Sequence, residues 1–166
     1  MISLNSLVAL LFATAATTSA LATPVFGEPQ ACAAGAAGPA ALVRAHGFKD
    51  RNGQLRVIVY RSNEAEFLAS GKYLARIDTP LTPDGDMTVC VPLPEGGPLI
   101  VVALHDRDGS GKFGAFEDGV GFSNNPRLGL SKPKLAPVTI TIKGVVPMAI
   151  ELNYLRGFRP QPVRVK

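Results

Sequence analysis

The stretch MTVCVPLPEGGPLIVVALHD, residues 87–106, decides the fold. It holds two apolar runs, Met87–Leu93 and Pro98–Asp106, rich in β-branched residues and parted by Pro94-Glu95-Gly96-Gly97. Short apolar runs bounded by Pro and Gly read as strands, and four such turn residues end one strand before the next begins. The second run stays apolar from Leu99 to Leu104 without polar alternation, the pattern of a strand in the middle of a sheet. The same texture recurs on both sides, in ALVRAHGF (41–48), QLRVIVYR (54–61), YLARIDTPL (73–81), APVTITIK (136–143) and VPMAIELNYL (146–155). Turn signals fall at Asp50-Arg51-Asn52-Gly53 and Pro83-Asp84-Gly85. Only Asn63–Ser70 has helix-like spacing. About seven strands with hairpin punctuation and no alternating helices predict an all-β fold, an antiparallel sandwich of the immunoglobulin-like kind with one short helix.

The ends of the chain differ from this middle. Residues 1–22 form an apolar run closing on Ala20-Leu21-Ala22, a small-residue cleavage pattern, and read as a secretory signal peptide. The segment before the apolar core is unusual for a signal peptide in having no Lys or Arg, while the marginal length of the run and the lack of basic stop-transfer residues after it disfavour a membrane anchor. No Cys stands at the cleavage point, which disfavours a lipoprotein. The expectation is export to the periplasm or the extracellular space, with no transmembrane segment after cleavage. Residues 23–40 are Ala-, Gly- and Pro-rich and read as a flexible lead-in, residues 41–156 as the sandwich, and residues 157–166 as a basic tail. The chain has two cysteines, Cys32 and Cys90, which in an exported protein read as a disulfide.

The formal net charge is +4, and Arg156, Arg159, Arg164 and Lys166 place part of it near the C-terminus. A solvated tail is the plain reading, and a contact with an anionic envelope surface is the functional one. No aromatic platform or reading helix accompanies these charges, so no nucleic-acid partner is expected.

After the strand ending at Asp106 comes DRDGSGKFGAFE, residues 106–117. Counted from Asp106, it sets Asp108 at position three, Ser110 at five, Gly111 at six, Lys112 at seven and Glu117 at twelve, the spacing of a calcium loop. A hard cation needs several oxygens at about 2.4 Å, so alternate residues must point inward while a glycine makes the bend. The carbonyl of Lys112 would serve as the seventh-position ligand. The flanks are not two helices, so this is no EF-hand, and the internal Arg107 and Lys112 predict weak binding. A Gly/Asp/Ser turn that caps its own backbone is the alternative.

VVALHDRDGSGKF (101–113) together with GVGFSNNP (119–126), and upstream LRVIVYRSNEAEFL (55–68), resembles the domain of unknown function 2141 family of exported bacterial proteins. The matching positions are His105, Asp106, Asp108, Ser110, Lys112, Gly121, Phe122, Ser123, Asn124 and Asn125. The family's acidic residue shortly after the Lys is here Gly114 or Ala115. The resemblance implies a transthyretin-like sandwich and no established activity.

His105, Asp106 and Ser123 invite comparison with a catalytic triad. GFSNN is not a nucleophile elbow, however, and adjacent strand residues point to opposite faces. Phe122 is expected to staple its loop onto the core, and Ser123, Asn124 and Asn125 to make local turn hydrogen bonds. The reading that results is an envelope binding or interaction module with an unknown ligand or protein partner and calcium as the one candidate cofactor. The alternatives are an enzyme using His105 in a cleft, or a basic-tail binder of anionic envelope surfaces.

Overall fold

A computed structural model describes residues 23–163; the signal peptide read over residues 1–22, and the tail positions Arg164 and Lys166, lie outside the described residues. Among those described, the strands are β1 (Val25–Gly27), β2 (Ala40–His46), β3 (Gln54–Arg61), β4 (Ala75–Pro80), β5 (Met87–Pro92), β6 (Gly97–Asp106), β7 (Gly119–Phe122), β8 (Thr139–Ile142), β9 (Val145–Glu151), β10 (Asn153–Arg156) and β11 (Arg159–Pro162). A 3-10 turn (Pro29–Cys32) and one short helix, α1 (Leu135–Val138), complete the elements.

The strands make two sheets. The larger runs β11-β10-β7-β6-β3-β4, with β8 also on β6, and every pairing in it is antiparallel. The smaller runs β1-β5-β2-β9 and is mixed: β2 and β5 are antiparallel, whereas β1 lies parallel to β5 and β9 parallel to β2. The two-residue side-chain period turns Val43 and Ala45 of β2 and Val89 and Val91 of β5 toward Leu55, Val57 and Val59 of β3 and Leu99, Val101 and Ala103 of β6. This inter-sheet layer is the main core. The outward faces of β3 and β6 are apolar too, and Tyr60, Ile100 and Val102 pack there with Phe67, Phe122 and Val138. The unbroken apolar run of β6 thus reflects burial on both faces.

Several expectations change. The Pro94–Gly97 turn does not close a hairpin, because β5 belongs to the smaller sheet and β6 to the larger. VPMAIELNYL is not one strand: β9 ends at Glu151 in the smaller sheet, Leu152 is buried, and β10 begins at Asn153 in the larger. Residues 63–70 form successive turns rather than the short helix, with Leu68 at φ 60°. With Leu68 at positive φ the backbone leaves the right-handed helical region, so the segment does not continue as a helix. The helix that does form lies at Leu135–Val138.

Described parts of the lead-in and of the tail pair into the fold. β1 pairs with β5, and Cys32 is bonded to Cys90 across 58 residues of sequence, tying the lead-in to the smaller sheet. Residues 159–162, expected to run free, pair with β10, and Val163 packs against the core. Pro160 and Pro162 are tolerated because β11 is an edge strand with no further neighbour needing their missing N–H groups. No helix among the described residues is long and apolar enough to cross a membrane.

Candidate functional site

The end of β6 sends consecutive residues to opposite sides of the larger sheet. His105 continues the inward series Leu99, Val101, Ala103 and is wholly buried beside Phe48 and Tyr154, with ring centroids 5.4 and 5.8 Å away. Its Nε2 lies 2.8 Å from the Asn52 carbonyl, which can only accept, so Nε2 carries the proton. Nδ1 then accepts from the Tyr154 hydroxyl at 2.7 Å, and that oxygen accepts the Lys49 N–H at 3.1 Å. Burial pushes the His105 pKa below its ordinary 6.5 and that of Tyr154 up to about 12. Both ring nitrogens are therefore occupied inside the core. Ser123 is equally engaged: its Oγ accepts the Val101 N–H and donates to the Val138 carbonyl, so it does not meet His105.

Asp106 points the other way. It is fully buried, and its Oδ2 accepts from Gln54 Nε2 at 2.9 Å and the Gly111 N–H at 3.0 Å, while its Oδ1 has no partner. Oxygens of Asp106, Asp108 and Asp118 converge within 4.8 Å of one another. Asp118 is 2 % exposed and held at both oxygens, by the Arg107 N–H at 2.9 Å and the Gly114 N–H at 2.7 Å. Asp108 is exposed and accepts the Ser110 N–H, which holds its carboxyl below the usual range. The two loop cations are not inside this cluster. The Arg107 guanidinium turns onto Asp50 and the Glu117 carbonyl and keeps the Asp50 carboxyl low, and Lys112 is exposed. Arg56 is the nearest guanidinium, 3.9 Å from Asp106 Oδ2, already paired with Asp78 and bound to the Gly111 carbonyl at 2.6 Å.

Of the residues read as calcium ligands, the fold brings Asp106 and Asp108 together. Glu117 faces solvent with two-thirds of its side chain exposed and reaches only Arg107. Ser110 Oγ donates to the Lys112 carbonyl, so these two bond to each other. The buried position belongs to Asp118, one residue past the twelfth and next to Glu117 in the acid pair before Gly119.

On the same outward face, β3, β6 and β7 form the floor of a cavity of about 550 Å³. Ile58, Val102, Leu104 and Val120 line the floor, the 106–118 loop makes one wall through Gly111, Lys112, Phe113, Ala115 and Asp118, and residues 128–133 another. Four large apolar side chains that stand exposed, Leu68, Tyr73, Phe113 and Leu130, line this cavity. Its charged lining is mostly cationic, with Arg56, Arg76, Lys112 and Lys132 against Asp118. Arg56 and Arg76 share Asp78, and Lys132 meets Glu64; Lys112 makes no ion pair among the described residues. Burial alone would raise Asp78, but the two arginines hold it below the ordinary carboxylate range.

The GFSNN segment frames this face from below. A side chain at Gly121 would run into the Glu151 carbonyl, so β7 approaches β9 only because that position has none. Phe122 packs edge-on to Phe67 at 6.0 Å. The asparagines, both at positive φ, bond far along the chain rather than locally: Asn124 donates to the Thr139 carbonyl, and Asn125 donates to the Ala149 carbonyl while accepting the Glu151 N–H. A family model described as "Uncharacterized protein conserved in bacteria (DUF2141)" matches residues 43–148, well over half of the chain. No curated protein and no solved structure matches it.

Proposed function

The chain belongs to the domain of unknown function 2141 family, and on that premise we propose that it is an exported envelope module that binds an anionic amphiphile on the outward face of its larger sheet. The observation that carries this reading is the cavity with its exposed apolar rim. Ligand sites are concave and mainly apolar, with a few polar groups that orient the ligand, and this volume lies within their usual range of about 300–1,000 Å³. Exposed apolar residues gathered around one hollow cost free energy in water that a ligand's apolar body would recover. The excess of cationic lining selects the head: Lys112 and Arg76 would face a carboxylate or phosphate at the rim. Export is supported by the leader pattern of residues 1–22 and by the Cys32–Cys90 bridge, a bond kept in oxidising compartments.

The test is displacement of an anionic fluorescent probe, anilinonaphthalene sulfonate, by dodecanoate and by dodecyl phosphate, with dodecyl maltoside as the uncharged arm. Both anions should displace it, the maltoside at least about tenfold less well. Val120→Phe, which fills the floor, should abolish displacement, and Lys112→Glu should weaken it for the anions alone. Equal displacement by all three amphiphiles, or an unaffected Val120→Phe, would remove the reading.

A further inference from the structure

We infer that Asp106, Asp108 and Asp118 form a divalent-cation site that takes calcium. Convergent carboxylates alone would not establish this, since exposed acids often gather without an ion. The decisive atom is Asp106 Oδ1, fully buried and without a hydrogen-bond partner while its sister oxygen has two. A carboxylate oxygen removed from water and left unpaired is costly, and a cation is the partner that would satisfy it. The spacing permits it, because oxygens sharing a calcium ion at about 2.4 Å stand at most about 4.8 Å apart, and one oxygen of each side chain lies within 4.8 Å of the others.

Charge agrees as well. Three carboxylates face one guanidinium, Arg56, which is already engaged by Asp78, and Arg107 is turned away onto Asp50. The cluster therefore keeps a net negative charge next to a buried oxygen. The loop also holds its shape by its own hydrogen bonds: the Arg107 and Gly114 N–H groups fix Asp118, and Gly111 fixes Asp106. Asp106 Oδ1 keeps both lone pairs for the ion, and each Asp118 oxygen, with one hydrogen bond, retains a second. Oxygen-only ligands with Asp108 open to solvent suit calcium, which completes its shell with waters and tolerates irregular geometry, better than magnesium, which demands a near-ideal octahedron. The ligand set differs from the one that spacing suggests, with Asp118 in place of Glu117. It is also independent of any occupant of the apolar cavity.

The experiment is calorimetric titration of chelator-stripped protein with calcium chloride and then magnesium chloride, with melting curves alongside. The parent should bind one calcium with a Kd of about 0.1–1 mM, and magnesium at least about tenfold more weakly. Asp118→Asn and the exposed Asp108→Asn should each weaken calcium at least about tenfold, while Glu117→Gln should bind as the parent does. Because Asp118 also caps backbone, Asp108→Asn decides the matter if Asp118→Asn does not fold. A parent with neither heat nor a calcium-dependent melting shift would overturn the site. So would an Asp108→Asn protein that binds like the parent, or a Glu117→Gln protein that loses calcium.

Discussion

His105 shows how a polar side chain can sit in an apolar core without chemistry of its own. The relay from the Lys49 N–H through Tyr154 and His105 to the Asn52 carbonyl satisfies every polar atom and locks the neutral tautomer. Tyr154→Phe removes one link and leaves Nδ1 buried and unpaired, so it should cost about 1–3 kcal/mol, read by denaturant unfolding at pH 8. The pH dependence follows from the two shifts. His105 titrates below its ordinary 6.5 when folded, so the unfolded chain binds the proton first, and stability present above pH 6.5 is lost as pH falls below it. His105→Gln should flatten that slope. Tyr154 titrates near 12 against an ordinary 10.0, so stability present below pH 10 is lost as pH rises from 10 toward 12, and Tyr154→Phe should remove that alkaline loss. Unfolding midpoints that keep both slopes in the variants would refute the relay.

At the scale of elements, the ends of the described chain are structural. The Cys32–Cys90 bond closes a long loop and should contribute about 4 kcal/mol in the chain-entropy view; Cys32→Ser combined with Cys90→Ser should lose about 2–4 kcal/mol while keeping its strand content. Truncation after Gly157 removes β11 and the Val163 contact. Burying one Val is worth about 1.5 kcal/mol, which for a chain of this size is about 3–6 °C of melting temperature. An unchanged melting curve would show that the tail does not hold. Strand positions were legible because apolar alternation is local, as in Leu55, Val57 and Val59. Sheet membership was not, because nothing local tells β5 from β6 as belonging to different sheets or marks Leu152 as the crossing point between two. The carboxylate cluster was half legible for the same reason: Asp106 and Asp108 share a loop start, whereas the place of Asp118 depends on where β7 pairs with β6.

At the scale of the molecule, the outward face of the larger sheet gathers the functional features. One apolar cavity lies there, and the loop bearing Asp106, Asp108 and Asp118 forms one of its walls. The central claim is that the cavity is the binding site, and the most direct measurement is amide and methyl chemical-shift mapping of the protein titrated with dodecanoate. Shifts should concentrate on Ile58, Val102, Val120, Leu128 and the 111–115 wall and leave the outer face of the smaller sheet, at Leu42 and Ala149, unmoved. Saturable shifts confined to the smaller sheet, or none at millimolar dodecanoate, would contradict it.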